Sequence, residues 1–134
     1  MRPTETPFLV CADDPIGARA IAATLAVLGA ERVETAAPDE APARAASLGR
    51  CVVVIDDDDP SAVFDLARAV LAAADEARVL LVTARLSAER LSAARRAGVH
   101  AVCGKPLAAT ELYRKLRALS ATEPAAPRAT GTAR

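Results

Sequence analysis

Five short apolar runs punctuate the chain: Phe8 to Ala12, Arg32 to Ala36, Cys51 to Ile55, Arg78 to Val82 and Val99 to Cys103, each separated from the next by a helix-length segment. That alternation constrains the fold more than any other feature, because short runs rich in Val, Ile and Leu read as strands. Three of the other segments repeat apolar residues at helical spacing: Ile21, Leu25, Leu28; Val63, Leu66, Val70; and Leu112, Leu116, Leu119. Gly29, Gly49 and Gly98 follow the first, second and fourth of the predicted helices, where a left-handed cap suits glycine. The second helix, Asp39 to Leu48, must hold Pro42 in its first turn. Strict strand-helix alternation predicts an α/β parallel sheet with helices on both faces, since parallel strands need crossovers and these are right-handed. Val52 to Ile55 and Leu80 to Val82 are apolar without alternation, as buried central strands are. Arg32, Val33, Glu34 and Thr35 alternate like an edge strand, which places the second strand at the margin in the order 2-1-3-4-5.

At 134 residues the chain has room for one core. The predicted domain covers residues 1–119; residues 120–134 are too poor in large apolar groups to pack and read as a disordered tail or a linker stub. Seventeen basic and seventeen acidic residues cancel, so the bulk charge draws in neither nucleic acid nor an anionic membrane. Met1 to Thr6 lead into no signal-peptide core, and no apolar run is long enough to span a bilayer. Cys11, Cys51 and Cys103 sit inside apolar runs with no CxxC spacing; they read as buried thiols in a reducing compartment, so a cytoplasmic location is expected. A single histidine, His100, excludes histidine triads and histidine-rich metal sites and reads as an ordinary edge residue. Arg95, Arg96, Arg114, Lys115 and Arg117 give the last two helices a basic cast, which reads first as a solvated face.

In open parallel sheets ligands bind beyond the carboxyl ends of the strands. Four of the five runs end there in chemistry: Asp13 and Asp14 after the first, Asp56 after the third, Thr83 after the fourth, and Lys105 after the fifth and Gly104. Three carboxylates within about 4 Å of one another repel by several kcal/mol at an effective dielectric of about 20, so a cation must compensate or some must be protonated. Mg²⁺ suits this inventory, because it takes one or two carboxylates, several waters and phosphate oxygens. The expected chemistry is phosphoryl transfer. Asp56 is the nucleophile, Asp13 and Asp14 hold the metal directly or through water, and the metal, Lys105 and Thr83 each take one phosphoryl oxygen. Pro106 lets the turn aim Lys105 back at the rim. Singly, each residue has a plainer explanation: Asp13-Asp14-Pro15 as a helix cap, the Asp56 to Asp59 run as a solvated turn, Thr83 as an N-cap, Lys105 as a surface lysine. Their combination at the ends of four runs outweighs these.

Leu9-Val10-Cys11-Ala12-Asp13-Asp14-Pro15 followed by Arg19, Val54-Ile55-Asp56 with Pro60 four residues later, Thr83-Ala84, and Ala97-Gly98 leading to Lys105-Pro106 resemble, in order and spacing, the signature of the CheY-like receiver domains of response regulators. The resemblance covers nearly the whole chain up to Leu119. It implies a flavodoxin-like (βα)₅ fold and a phosphoacceptor switch of a two-component or phosphorelay system. The donor would be a sensor histidine kinase or phosphotransfer protein. Output would run through the fourth helix, fifth strand and fifth helix to a downstream target or output domain, or through a homodimer. It further implies that the backbone carbonyl of Asp58 joins Asp13, Asp14 and Asp56 around Mg²⁺, and that Thr83 and residue 102 form the switch. On this reading the domain is no turnover enzyme, although it catalyses its own phosphorylation and dephosphorylation. The chain departs from the pattern at Val102, where an aromatic is usual, at Leu107, where Phe is common, at Phe64, where glycine is usual, in the acidic run Asp57-Asp58-Asp59, and in a short stretch from Asp56 to Thr83.

Two other functions fit some of these residues. A receiver that keeps the fold but docks independently of phosphorylation is suggested by Val102 and the acidic run. A haloacid-dehalogenase-like phosphatase is suggested by Asp56-Asp57-Asp58, with Asp56 as nucleophile and Asp58 as general acid, although that motif normally opens its chain.

Overall fold

The computed structural model describes residues 6–121, built from β1 (Phe8–Ala12), α1 (Pro15–Val27), β2 (Val33–Ala36), α2 (Ala41–Leu48), β3 (Cys51–Asp56), α3 (Pro60–Ala73), β4 (Ala77–Thr83), α4 (Ala88–Arg96), β5 (Ala101–Gly104) and α5 (Ala109–Ala121). The five strands form one parallel sheet in the order β2-β1-β3-β4-β5, with β2 at the margin and β3 and β4 inside, as the apolar pattern predicts. α5 continues two residues past Leu119, and the segment read as a tail otherwise lies outside the described residues. No helix among the described residues is long and apolar enough to cross a membrane.

Successive strand residues point to opposite faces, and the two faces bury separate cores. Leu9, Cys11, Val53, Ile55, Val79 and Leu81 pack under α2, α3 and α4, which contribute Ala45, Val63, Val70 and Ala94. Phe8, Val10, Val52, Val54, Leu80 and Val82 pack under α1 and α5, through Ile21, Leu25, Leu112 and Leu116. β1, β3 and β4 are covered on both sides, which is why their sequences carry no alternation. β2 is only partly buried, and its Glu34 pairs with Arg32 and Arg44 at the sheet margin.

Local chemistry sets the helix ends. The Asp14 side chain accepts from the Ile16 N–H at 3.0 Å and Pro15 opens α1; Asp59 and Pro60 repeat the arrangement at α3, with Ser61 as donor at 3.1 Å. Ser87 caps α4 by accepting from the Arg90 N–H at 3.1 Å. Pro42 lies in the first turn of α2, where its missing N–H removes no helical bond. β5 begins two residues later than the apolar run suggests. Val99 is consumed in closing α4: its N–H donates to the Ala94 carbonyl at 3.0 Å, across a Gly98 with φ of 95°.

A side chain at Gly98 would also have to displace the end of Leu71. A Cβ there would stand 2.5 Å from Leu71 Cδ1. Gly98→Ala combines a positive φ with that clash and is expected to cost about 1–3 kcal/mol. Its urea unfolding midpoint should fall below wild type; a midpoint equal to or above wild type would contradict this packing.

Candidate functional site

Strand register decides which side chains meet. Ala12 of β1 and Val82 of β4 flank Asp56 of β3, and Thr83 of β4 pairs with Gly104 of β5. Asp13 and Asp14 therefore leave β1 just beyond the level of Asp56, Thr83 lies one residue past it on β4, and Lys105 follows β5. Four strand tips share one rim, where ligands bind in open parallel sheets.

Asp56 is the centre of this rim, with only 14% of its side chain exposed. Its Oδ1 accepts from Lys105 Nζ at 2.5 Å. Its Oδ2 and the Asp14 Oδ2 both approach the bare Cα of Gly17: a Cβ placed there would lie 3.5 Å from the first and 3.7 Å from the second. The two carboxylates thus border the same space beside Gly17. The Asp14 Oδ1 is meanwhile used on the Ile16 N–H, so capping and rim chemistry divide the two oxygens of one side chain. The Lys105–Pro106 peptide is cis.

The hydrogen bond it donates to Asp56, opposed by burial, holds the Lys105 ammonium above its ordinary pKa, so it stays protonated across the neutral range. Asp58 is held below the usual carboxylate value, chiefly by the Ala84 N–H, with help from the Thr83 hydroxyl and Lys105. Both shifts favour the charged forms, so the rim is a cation set among anions. Burial pushes the Cys11 thiol to about 12, with Asp57 and Asp13 adding to the effect, and the other two cysteines are raised as well. All three remain buried free thiols, as their apolar contexts predict.

The structure brings Asp14, Asp56, Asp58, Thr83 and Lys105 together. Asp13 is placed differently from the three-carboxylate arrangement expected. It lines a cleft of about 330 Å³ beside Arg19, Thr35 and Glu40, and no three His, Cys, Asp or Glu side chains among the described residues gather in a metal-ligating group. The physical reason lies in the turn: Asp14 is the residue drawn back toward Gly17 by the start of α1, and Asp13 precedes it on the side of β2. Two carboxylates still meet the requirement of Mg²⁺, which binds through one or two of them and keeps its waters.

Thr83 is buried and its hydroxyl donates to Asp58 Oδ1 at 3.1 Å while accepting from the Arg85 N–H at 3.1 Å. It does not cap α4, which Ser87 does. Val102 is half-buried beside Thr83, Leu81, Phe64 and Leu86, and its carbonyl accepts from Lys115 Nζ at 2.8 Å. Leu86 lies over Gly104, where a Cβ would come within 2.9 Å of Leu86 Cδ1. Val102, at the position where the family resemblance leads one to expect an aromatic, thus packs with Leu81, Leu86 and Phe64. His100 does more than expected of an edge residue: its Nδ1 accepts from the Val79 N–H at 3.0 Å and its N–H donates to the Val79 carbonyl at 2.8 Å, extending the β4–β5 pairing. Gly17, the Asp58 side chain and the Ala84 N–H are the site groups that the residue pattern did not reveal. Of these only Gly17 left a trace, three residues after Asp14 and so on the same helix face.

No protein-family model and no curated protein sequence matches the chain. Solved structures do. A Burkholderia pseudomallei protein named for a relation to pilus assembly superposes with a TM-score of 0.77 at 23% identity, over 90% of this chain and 92% of that one. The chemotaxis response regulator CheY4 of Vibrio cholerae gives 0.68 at 27% identity, over 85% and 98%. The receiver domain of the sensor histidine kinase PA1611 from Pseudomonas aeruginosa, described with a magnesium ion in its active-site cleft, gives 0.68 at 19% identity, over 88% and 99%. With strand order, helix placement and near-complete mutual coverage in agreement, the chain has the fold of the CheY-like receiver domains of response regulators.

Proposed function

We propose that the chain is a phosphoacceptor switch that takes a phosphoryl group onto Asp56. The observation that carries this reading is the environment of that carboxylate. One oxygen is fixed by the Lys105 ammonium, and the other borders, with Asp14, the space left by Gly17. A carboxylate so placed is oriented and flanked by a cation.

In the reaction an Asp56 oxygen attacks the phosphorus of a phosphohistidine. The phosphorus–nitrogen bond breaks, the nitrogen keeps the electron pair, and an acyl phosphate remains on Asp56. Lys105 neutralises charge on the equatorial oxygens, and the Thr83 hydroxyl and Ala84 N–H, bonded to Asp58 in the resting chain, are the next donors at the rim. Mg²⁺ would be held by Asp14 and Asp56, with the Asp58 carbonyl and a water-mediated Asp13 completing the set that the family resemblance implies. When bound it supplies the second positive charge that a transferring phosphoryl group needs. The domain would thus assist its own phosphorylation and hydrolysis without acting as an enzyme on other molecules.

The partners that follow are a sensor histidine kinase or phosphotransfer protein as donor and a protein target or output domain as receiver of the signal. The cytoplasm is the proposed compartment, consistent with three buried free thiols. A phosphorylation-independent docking role has one observation in its favour, an aliphatic Val102 at the position where an aromatic is usual.

With Mg²⁺ and a small acyl phosphate as donor, wild type is expected to form an acid-stable, base-labile adduct at one site, and Asp56→Asn none, as read by intact mass. No wild-type adduct under conditions that label a control receiver would remove the proposal. Partner binding that is unchanged by Asp56→Asn would favour the docking role. Lys105→Ala is expected to slow labelling by roughly 100-fold, the usual scale for removing one donor from a developing anion. A rate within twofold of wild type would exclude Lys105 from the chemistry.

A further inference from the structure

At the tips of β4 and β5 three donors stand ready for an anion: the Thr83 hydroxyl, the Ala84 N–H and the Lys105 ammonium. All three already face one, and it belongs to the chain itself. Asp58 Oδ1 accepts from Thr83 Oγ1 at 3.1 Å and from the Ala84 N–H at 3.0 Å, while Asp58 Oδ2 lies 4.0 Å from Lys105 Nζ.

The donors cannot serve two acceptors equally. Thr83 has one hydroxyl proton, its oxygen is already engaged as acceptor for the Arg85 N–H, and the residue is only 2% exposed, so the hydroxyl has little freedom to find another partner. Ala84 has a single N–H. A phosphoryl oxygen on Asp56 therefore reaches these donors only after Asp58 leaves them. Asp58 can leave: its side chain is 42% exposed, and it sits in the short connection between β3 and α3, whose other acids are occupied locally, Asp57 with the Asp59 N–H and Asp59 with Ser61.

We propose that the Asp58 carboxylate is a built-in stand-in for the phosphoryl group, a latch that occupies the Thr83 and Ala84 donors in the resting chain and must swing outward when Asp56 carries phosphate. This rests on the phosphoacceptor reading and deepens it by naming how the same site is held at rest. Repulsion between the phosphoryl oxygens and Asp58 drives the exchange, and the apparent affinity for a phosphoryl mimic is lowered by the fraction of chains in which the latch is closed. The latch also ties the β3–α3 connection to the start of the β4–α4 connection. Its release loosens that tie without calling on an aromatic at position 102.

The test uses the full chain and beryllium fluoride with Mg²⁺ as the phosphoryl mimic, read by the backbone amide resonances of Thr83 and Ala84. Replacing the Asp58 side chain leaves its backbone carbonyl in place. Asp58→Ala is expected to bind the mimic about tenfold more tightly than wild type. Asp58→Asn, which keeps an acceptor oxygen but loses the charge, should fall between them. Before the mimic is added, the Ala84 amide should shift in Asp58→Ala, and binding should shift it back. Equal or weaker binding by both Asp58 variants, with wild type taking up the mimic, overturns the latch alone, whereas no uptake by any of the three proteins removes the phosphoacceptor reading and the latch with it. Uptake that survives Asp56→Asn also removes the phosphoacceptor reading, so the two failures are told apart.

Discussion

Like charges crowded at one rim are the constraint around which the rest of the molecule is arranged. Asp14, Asp56 and Asp58 stand near one another where four parallel strands end, and like charges at such spacing repel by an amount that falls as solvent reaches them. Each finds a different remedy. Asp14 spends one oxygen on the first turn of α1, where the helix N-terminus favours negative charge. Asp56 holds the Lys105 ammonium, and Asp58 turns to the donors of the β4 tip. What remains are the second oxygens of Asp14 and Asp56, which border the same space beside Gly17. That residual negative charge is what a divalent cation would satisfy.

The scaffold earns its rigidity away from this rim. β1, β3 and β4 are apolar on both faces because helices cover both, so the three strands that deliver Asp13, Asp14, Asp56 and Thr83 cannot slide without exposing a core. β5 is shorter and less buried, and it is steadied at its start by His100 on Val79 and near its middle by Lys115 on the Val102 carbonyl. Lys105 thus reaches the rim from the least enclosed of the contributing strands, which would suit a residue that follows the change of charge proposed for Asp56.

The sheet was legible in the sequence because burial on two faces leaves an unmistakable trace. Val52 to Ile55 and Leu80 to Val82 could only be central, and the alternation at Glu34 only marginal. Gly29, Gly49 and Gly98 all take positive φ as their positions suggested. Strand ends shifted where a residue served two elements, as Val99 does between α4 and β5. In the site, the residue types at strand tips announced Asp14, Asp56, Thr83 and Lys105, since chain order and a parallel sheet bring those tips together. Side-chain direction was not announced. Nothing in Asp13-Asp14 says which carboxylate the helix start draws inward, and nothing in Asp56 to Asp59 says that Asp58 reaches across to Thr83 and Ala84, because both depend on turn geometry set by distant packing.

The central claim is that Asp14 and Asp56 jointly border a site for a divalent cation. Thermal unfolding of wild type, Asp14→Asn and Asp56→Asn across a Mg²⁺ titration tests it most directly, since a ligand bound only by the folded state raises its melting temperature. Wild type should gain on the order of 5 °C at Mg²⁺ well above its dissociation constant, with most of that gain lost in each variant. An equal rise in all three proteins, or none in wild type, would contradict the account.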